Sequence, residues 1–459
     1  MTNPTFHITT FGCQMNAADS DWLGRSLAAR GFAPAAVPDE ADVHILNTCS
    51  VRDKPEQKVY SEIGRIRSVT GDSPEVLVCV GGCVAQQVGE RLFKRFSQVR
   101  LVFGPDGLAS APEAISRLVG EKRLRMSLVD FAERFEERAL AADGESAPAA
   151  FVSIMQGCDN FCAYCIVPYV RGRQKSREKK AILAECASLL ERGAKEITLL
   201  GQNVNAYGLD LPEKPAPGSG RSAFGDLLYQ VAALPGLRRL RFITPHPKDM
   251  GPDMAGAFAD LPVLAPRLHL PLQSGSDEIL RRMGRRYDTA RFLALVEELR
   301  AARTGLQFST DVIVGFPGET EEHFQETLAF MEKVGFVGSF SFAYSDRPGT
   351  RASLFPDKLD KKTKLERLSR LQHWQYSYAR DIFEGMRGET VRVLLEGEAA
   401  SREPEPGARY WQGREERGHS VIVRMTGRTP PSGGWLGRLV SVRVTGASMH
   451  GLKGELLPE

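Results

Sequence analysis

The sequence predicts an α/β protein built from three structural units. Two runs of the chain alternate short apolar strands with helix-length stretches, which indicates βαβ units and parallel sheets. A third run, from Val391 onward, contains only short β-rich segments separated by Gly, Pro and charged residues. That pattern is typical of a small antiparallel β-barrel. The length of 459 residues accommodates three units at roughly 150 residues each.

The first unit, at residues 4–128, alternates strands with helices. Strands are predicted at 6–10, 43–46, 76–80 and 101–103, and helices at 21–30, 59–66 and 86–96. The third strand is apolar throughout, as expected of a strand buried on both faces of a parallel sheet. We therefore predict an N-terminal parallel-sheet βαβ domain.

A stretch without clear periodicity separates the first unit from the second. We predict a linker at 129–149, because its second half is rich in Ala, Gly, Ser and charged residues. The second unit, at 150–360, has six predicted strands, at 151–155, 197–200, 240–243, 268–270, 308–314 and 340–343. Six strands are too few for a closed eight-stranded barrel, so an open partial (β/α)6 barrel is predicted. A charged helix at 361–384 then leads to the small antiparallel β-barrel at 385–450.

Composition and charge exclude several classes of protein. Apolar residues make up 42% and charged residues 25% of the chain, which excludes collagenous and broadly disordered proteins. The net charge of +3 argues against a histone-like nucleic-acid binder, but a local basic groove stays possible. No apolar stretch reaches the roughly 20 residues that span a bilayer. The first residues do not resemble a secretory signal, so we expect a cytoplasmic protein without a membrane partner.

Three closely spaced cysteines follow the strand predicted at 151–155. Cys158, Cys162 and Cys165 form a C-x3-C-x2-C loop. Three thiolates can hold three irons of a [4Fe-4S] cluster and leave the fourth iron open to S-adenosylmethionine (SAM). Electron transfer to SAM can then release a 5′-deoxyadenosyl radical. A zinc site is the alternative, but such sites usually combine two C-x2-C pairs, and Cys186, in an amphipathic helical run, is interpreted as a core residue.

Three further cysteines each lie at the end of a predicted strand in the first unit. They are Cys13, Cys49 and Cys83. The carboxyl ends of parallel strands meet at one edge of a sheet, so these thiols are candidates for a second three-thiolate cluster. Dispersed cysteines are weak evidence when taken alone, and only their shared position strengthens this interpretation. Cys79 lies inside a strand and is interpreted as a buried spacer.

These motifs, in this order, resemble those of the radical-SAM methylthiotransferases along nearly the whole chain. The stretches that carry the resemblance are 11–16, 47–51, 81–85, 157–173, 200–208, 244–247, 270–276, 311–320 and 344–350. The resemblance implies an N-terminal domain with three cluster cysteines, a radical-SAM partial barrel and a C-terminal TRAM RNA-binding domain. Within the group, the chain is most similar to the tRNA methylthiotransferases that act on N6-isopentenyladenosine, the adenosine just 3′ of the anticodon.

The resemblance also implies the chemistry of the two cysteine sets. The cluster on Cys158, Cys162 and Cys165 would cleave SAM, and the cluster on the other three cysteines would carry or activate the inserted sulfur. SAM would serve twice, as methyl donor and as radical source, to convert C2–H of the adenine into C2–S–CH3. The implied partners are the tRNA anticodon stem-loop and a flavodoxin-like or ferredoxin-like electron donor protein, while the sulfur source is left open.

Three other functions stay open on the sequence alone. One sister family methylthiolates an aspartate of a ribosomal protein, and a related branch acts on threonylcarbamoyladenosine in tRNA. Both are disfavoured because the stretches 244–247 and 344–349 resemble the versions that act on isopentenyladenosine. A non-catalytic RNA-binding iron–sulfur protein is the third, but an open iron serves no purpose in a purely structural cluster.

Eight residues outside the cysteine sets are candidates for binding. For SAM they are Tyr164, Gln202 and Asn203; for RNA or the substrate pocket they are Arg171, Arg173, His246, Trp411 and Arg414. A basic run such as 171–177 is usually just solvated, but beside an active site it could steer RNA phosphate. An aromatic residue followed by Gly-Arg on a small barrel suits base stacking and phosphate contact. The alternative roles are core packing for Tyr164 and a half-buried position for Trp411.

Overall fold

The structure is a computed structural model that describes residues 3–50, 55–71, 73–138, 146–213, 215, 218, 220–400, 407–426, 434–448 and 451–458. Residues 139–145 of the predicted linker and Val51 of the second cysteine motif lie outside the described residues. The predicted α/β class is confirmed. No helix within the described ranges is long and apolar enough to cross a membrane.

The N-terminal domain is a six-stranded parallel sheet with helices on both faces. Its elements are β1 (Thr5–Thr10), α1 (Gln14–Ala28), β2 (Ala33–Pro34), β3 (Val43–Thr48), α2 (Pro55–Thr70), β4 (Leu77–Gly82), α3 (Cys83–Val88), α4 (Arg91–Arg95), β5 (Val99–Phe103), α5 (Ala111–Gly120) and β6 (Met126–Leu128). The strand order is β2-β1-β3-β4-β5-β6, with every pair parallel. Neighbouring side chains of β3, Ile45 and Leu46, belong to apolar cores on opposite faces, which explains the continuous apolar strands.

Two helices of this domain differ from the prediction. Helix α1 begins directly after Cys13 rather than at Asp21, and its first turn buries Met15 and Asn16. A buried Asn16 interrupts the apolar pattern there, so the sequence did not indicate a helix. The helix predicted at 86–96 is two helices, α3 and α4, because Gly89 has a left-handed φ of 58° that ends α3.

The second domain contains the predicted partial barrel. Its elements are β7 (Ala149–Ser153), β8 (Met155–Gln156), α6 (Val167–Val170), β9 (Lys175–Ser176), α7 (Lys179–Glu191), β10 (Glu196–Leu200), α8 (Ala223–Ala232), β11 (Arg239–Phe242), α9 (Asp253–Asp260), β12 (Arg267–His269), α10 (Asp277–Met283), α11 (Thr289–Ala302), β13 (Gln307–Val314), α12 (Glu321–Val334) and β14 (Gly338–Ala343). The strands form two parallel sheets, β7-β10-β11 and β12-β13-β14. An isolated parallel bridge connects Leu240 of β11 to Leu264, three residues before β12. The small antiparallel pair β8–β9 was not predicted.

The two faces of the barrel strands differ in polarity. On β13, Phe308 and Val312 belong to the large core shared with the surrounding helices. The alternate residues of the same strand, including Asp311 and Ile313, are only partly buried. Since alternate side chains point to opposite faces of a strand, these residues line the inside of the barrel, which we call the lumen.

A long helix leads to a closed five-stranded barrel. These elements are α13 (Lys361–Gly385), β15 (Thr390–Glu398), β16 (Ala408–Arg414), β17 (Ser420–Thr426), β18 (Leu439–Ser448) and β19 (Gly451–Leu456). Short 3-10 helices elsewhere in the chain span Pro38–Glu40, Asp106–Leu108, Val204–Ala206, Pro247–Asp249 and Arg351–Leu354. The barrel order is β15-β16-β17-β19-β18, antiparallel except for the parallel pair β17–β19. Two strands of the barrel were not predicted. They are β16 and β19, and β19 lies beyond residue 450, where the barrel was expected to end.

The C-terminal barrel packs against the amino-terminal ends of the partial-barrel strands. Arg239, at the start of β11, donates hydrogen bonds from Nη1 to the Arg414 carbonyl at 2.8 Å and from Nη2 to the Arg392 carbonyl at 2.6 Å. Arg241 Nη2 donates to the Glu416 carbonyl at 2.8 Å. Catalytic and ligand-binding loops of such barrels lie at the opposite, carboxyl ends of the strands, so this contact leaves the cysteine loop free.

Candidate active site

The loop with Cys158, Cys162 and Cys165 begins directly after β8, where a glycine permits a tight bend. Gly157 has a φ of 80°, and a Cβ at this position would overlap the Arg173 carbonyl oxygen. The Gly157 N–H donates to Gln202 Oε1 at 2.6 Å. Gln202, proposed from the sequence as a SAM ligand, therefore fixes the start of the cysteine loop.

The three thiols of this loop are protected from water. Cys158 and Cys162 are buried, and Cys165 is half-buried. Burial raises the pKa of the Cys158 thiol to about 11 and that of the Cys165 thiol to about 12. Thiols in such surroundings become thiolates only beside a positive charge or a metal. This donor set fits a [4Fe-4S] cluster, which supplies that charge.

A zinc ion and a [4Fe-4S] cluster require different arrangements of their protein ligands. Among the described residues, no three His, Cys, Asp or Glu side chains are close enough to hold a single metal ion. In a [4Fe-4S] cube each thiolate binds a different iron, so its thiolates need not converge on one point.

A buried arginine that sequence reasoning missed lies beside the cysteine loop. Arg285 Nη1 is 3.6 Å from Cys162 Sγ, and Nη2 donates to the Pro271 carbonyl at 3.0 Å. Its Nε donates to the Tyr287 hydroxyl at 3.0 Å, and Nη1 to the Tyr164 hydroxyl at 3.4 Å. Arg285 lies in the run Arg281-Arg282-Met283-Gly284-Arg285-Arg286, which is typical of an exposed helix end. No feature of the sequence distinguished the buried member.

Two of the predicted binding residues keep unpaired polar atoms at the carboxyl ends of the barrel strands. His246 is buried, its Nδ1 accepts from the Lys248 N–H at 3.2 Å, and its Nε2 has no hydrogen-bond partner. Burial lowers the pKa of His246 to about 2, so the ring stays neutral. Asn203 Nδ2 donates to Asp249 Oδ2 at 2.8 Å, while Oδ1 has no partner. Unsatisfied buried polar atoms are costly, and a polar ligand would satisfy both.

Tyr164 occupies the core position that was given as the alternative to SAM binding. Its ring packs with the apolar cluster that includes Ile279, Phe316 and Tyr344, which matches the core role. Its hydroxyl reaches Arg285 beside the cluster loop. Contact with the adenine of SAM stays a prediction.

The second cysteine set meets at the edge of the N-terminal sheet. Cys13 precedes α1, Cys49 follows β3 and Cys83 begins α3 directly after β4. A hydrogen bond with Cys49 lowers the pKa of the Cys13 thiol to about 5, although burial opposes the shift. Gly12 is required here, because a Cβ at its φ of 151° would collide with the Cys49 side chain. The structure thus brings Cys13 and Cys49 together.

The two cysteine sets are linked through one short segment. Ile166, next to Cys165 in the chain, and Val170 form an apolar cluster with Cys83. In addition, Ser153 Oγ of the barrel domain is 3.7 Å from Met15 Sδ of the N-terminal domain. The N-terminal domain therefore covers the side of the barrel that carries the cysteine loop.

The basic run after the cysteine loop corrects a prediction. Only Arg173 is exposed, where it forms an ion pair with Asp159 at 2.9 Å. Arg171 is buried near Cys83 and Asp19, so its side chain cannot contact RNA phosphate in this structure. The other two cations of the run are also buried in ion pairs, Lys175 with Asp106 and Arg177 with Glu137 and Glu185.

Of the two RNA contacts predicted on the C-terminal barrel, the structure contradicts the one by Trp411, while the one by Arg414 stays a prediction. Trp411 is only 8% exposed and belongs to the barrel core, so its ring cannot stack on a base. Arg414 Nε forms an ion pair with Glu396 Oε1 at 2.8 Å. Along β16, residues alternate between core and surface, and this alternation places Trp411 inside.

Two aromatic side chains line the lumen without being buried. Phe340 is 61% and Phe342 39% exposed. They pair in register with Asp311 and Ile313 of β13, whose side chains point into the lumen. His269 packs its ring edge-to-face on Phe340, with centroids 5.8 Å apart. This apolar surface, which we call the lumen aromatic surface (Phe340 and Phe342), faces open space in the barrel.

Cys79 and Cys186 are expected to be dispensable for iron binding. Both are completely buried, Cys79 in the core of the N-terminal sheet and Cys186 in that of the barrel. Cys79→Ala and Cys186→Ala proteins should each retain the full iron content after anaerobic reconstitution, although loss of the buried sulfur lowers stability by about 1 kcal/mol. Iron quantification beside a thermal melt checks this. A loss of half the iron in either variant would contradict the assignment of ligands.

Comparisons with known proteins agree with this geometry. Residues 5–104 match the Uncharacterized protein family UPF0004, and residues 152–331 match the Radical SAM superfamily. The structure resembles the radical S-adenosylmethionine methyltransferase TsrM from Kitasatospora setae, with a TM-score of 0.55 and 16% sequence identity over 77% of this chain and 74% of that one. At this identity the likeness shows a shared fold. Membership of the Radical SAM superfamily implies a [4Fe-4S] cluster and SAM, as the cysteine loop predicted.

Relatives cover the whole chain. A tRNA-2-methylthio-N(6)-dimethylallyladenosine synthase of Nitratidesulfovibrio vulgaris (strain DP4) is 58% identical over 99% of both chains. A protein of the same name from Lawsonia intracellularis is 48% identical over the full length of both. One from Geobacter sulfurreducens is 46% identical over 86% of this chain and 87% of its own. The chain therefore belongs to the family of the tRNA-2-methylthio-N(6)-dimethylallyladenosine synthases, which confirms the resemblance predicted from its motifs.

Proposed function

We propose that this enzyme inserts a methylthio group at C2 of N6-dimethylallyladenosine, the isopentenylated adenosine beside the tRNA anticodon. The observation that carries the proposal is the pair of cysteine sets on two domains, connected through the contact of Ile166 and Val170 with Cys83. The names of the relatives support this substrate. C2 of adenine carries no acidic proton, so acid–base chemistry is unsuited to its C–H bond.

The protein would hold two clusters and supply sulfur and radical chemistry from separate sites. Cys158, Cys162 and Cys165 would bind the cluster that transfers an electron to SAM, and the cysteine set of the N-terminal domain would bind a second cluster that provides the sulfur. The chain's own contribution is orientation and charge. Arg285 places a positive charge beside Cys162, and the unpaired Asn203 Oδ1 and His246 Nε2 can hydrogen-bond SAM or the base.

The lumen aromatic surface favours the prenylated adenosine over the alternatives. An apolar five-carbon group gains free energy by leaving water against Phe340 and Phe342. The anionic threonylcarbamoyl group and an aspartate side chain would instead lose hydration there. The ribosomal-protein and threonylcarbamoyladenosine activities are therefore less well supported, and a non-catalytic role is excluded by membership of an enzyme family.

Activity on paired anticodon stem-loops tests the proposal. With SAM and a flavodoxin-like or ferredoxin-like reductant under anaerobic conditions, the enzyme should methylthiolate a stem-loop that carries dimethylallyladenosine. It should largely ignore an identical stem-loop without the prenyl group. Nucleoside mass spectrometry measures the product, and 5′-deoxyadenosine is measured in parallel. Equal rates on both stem-loops, or activity only on a threonylcarbamoyl stem-loop or the ribosomal protein, would overturn the choice of substrate.

We infer that the C-terminal barrel contributes to tRNA binding through exposed cations rather than through Trp411. Arg392 on β15 and Arg443 on β18 are exposed. The register pairs Arg392 with Ser441, so the two arginines lie diagonally on the outer face. Cations on a small barrel can contact phosphates without reading sequence.

Charge reversal at these two positions should weaken tRNA binding. Because each lost phosphate contact removes about one counterion from the equilibrium, Arg392→Glu/Arg443→Glu should reduce the slope of log affinity against log salt by up to about two. Cleavage of SAM should persist, since both residues are far in the chain from the cysteines. The control is Trp411→Phe, which should lower the melting temperature of the barrel but leave the salt slope unchanged. An unchanged slope in the double variant would contradict this interface.

A further inference from the structure

One arginine of the barrel domain extends into the cysteine set of the N-terminal domain. Arg171 directly follows α6 and is only 3% exposed. Its Nη2 lies 3.7 Å from Asp19 Oδ2, but Asp19 is shared, because its Oδ1 accepts from Arg138 Nη1 at 2.7 Å. The Asp19 carboxylate therefore compensates the charge of Arg171 only in part.

The Arg171 guanidinium also lies near the thiols of Cys83 and Cys13. No oxygen of the described residues accepts a hydrogen bond from Nη1 or Nη2. The side chain instead interacts with the Cys83 thiol, both through its charge and through a hydrogen bond, and electrostatically with Cys13. Burial raises the pKa of the Cys83 thiol, and the neighbouring Arg171 opposes that shift. A buried cation whose only nearby carboxylate is shared with another arginine is costly unless a further anionic partner is present. A cluster bound by three thiolates carries negative charge and would be such a partner.

The position of Arg171 depends on the cysteine loop of the barrel domain. Only a short segment separates it from Cys165, and within that segment Ile166 and Val170 pack on Cys83. The backbone is held as well, since the Arg171 N–H donates to the Val167 carbonyl at 2.8 Å. The same segment thus carries a ligand of the first cluster at one end and a cation for the second site at the other.

We propose that Arg171 is a positioning residue that neutralises the second cluster and raises its reduction potential. This inference rests on the second cluster of the proposed function. Hydrogen bonds and positive charge near the sulfurs stabilise the reduced, more negative form of an iron–sulfur cluster. The electron affinity of the second cluster is then set by a residue of the domain that binds SAM.

The test uses full-length protein in which the first cluster is removed by Cys158→Ala, Cys162→Ala and Cys165→Ala. This parent should bind about four irons, and its potential can be measured by EPR-monitored titration. Adding Arg171→Met should reduce the equilibrium constant for one-electron reduction about tenfold, a shift of about 59 mV to more negative potential. Adding Arg171→Lys should give a smaller shift, because a charge remains without the planar donors.

Two further variants separate electrostatics from packing. Asp19→Asn removes the compensating carboxylate and should shift the potential in the opposite, positive direction. Arg173→Met removes the same charge two residues further on, where the side chain is exposed and paired with Asp159, and should leave the potential unchanged. If Arg171→Met does not fold, the directions of the potential shifts in Arg171→Lys and Asp19→Asn still test the proposal.

The outcomes distinguish this inference from the proposed function. If the parent binds no iron, the second cluster itself is wrong, and the inference falls with it. If the parent binds iron but Arg171→Lys and Asp19→Asn keep its potential, only the role of Arg171 is wrong. Opposite shifts for these two variants, with an unchanged Arg173→Met, support it.

Discussion

Replacing Cys158, Cys162 and Cys165 together by alanine should abolish the formation of 5′-deoxyadenosine from SAM and leave about half of the bound iron. The wild-type protein should bind about eight irons after anaerobic reconstitution, and the triple variant about four. SAM cleavage should be lost completely, because the three thiolates that would hold the SAM-binding cluster are removed. Iron analysis and chromatography of the SAM products measure the two effects on the same sample.

The reciprocal variant is the control. Alanine at Cys13, Cys49 and Cys83 should also leave about half of the iron, yet it should preserve SAM cleavage while abolishing methylthio product. Loss of all iron in the Cys158/Cys162/Cys165 variant would contradict the second cluster, and loss of all iron in the reciprocal variant would contradict the first. Zinc in place of iron in the wild-type protein would contradict both clusters.

The double variant Phe340→Ala/Phe342→Ala should lose most of its preference for the prenylated stem-loop. Burying five carbons gains about 0.8 kcal/mol each, or about 4 kcal/mol, which corresponds to about three orders of magnitude. Two rings form part of that apolar wall, so the ratio of kcat/KM for prenylated over unprenylated stem-loop should fall by roughly tenfold to hundredfold. Neither ring is fully buried, so stability should fall by only about 1 kcal/mol.

An exposed aromatic residue elsewhere provides the control for this prediction. Tyr376 on α13 is 48% exposed, and Tyr376→Ala should leave the ratio unchanged. SAM cleavage without RNA should be the same in all three proteins. If the double variant retained the full preference, the prenyl group would have to be recognised away from β14.

The domain order and the cysteine positions could be predicted because their signals are local. Apolar strands alternate with helices in the first two domains, and each cysteine of the N-terminal set lies where a strand ends. The prediction missed the last strand of the closed barrel. This strand, β19, contains two glycines, Gly451 and Gly454, which obscure the alternation typical of a strand.

The individual binding residues were harder to predict because burial depends on distant parts of the chain. Arg171, Lys175 and Arg177 form a basic run that is typical of a solvated surface, but each is buried against an acidic group. Their partners belong to other segments or to the N-terminal domain, which composition cannot reveal. Trp411 is different, because the alternation along β16 was visible in the sequence once the segment was recognised as a strand.

The attachment of the C-terminal barrel has a consequence for sequence drift. Arg239 and Arg241 donate to main-chain carbonyls of residues 392, 414 and 416, and every amino acid supplies such a carbonyl. The side chains of residues 392, 414 and 416 can therefore vary without loss of these acceptors. Arg239 and Arg241 cannot be exchanged freely, and neither can His419, whose ring contacts Gln307 and Arg267 across the same joint. The outer surface of the small barrel can thus diversify while its attachment to the partial barrel is kept.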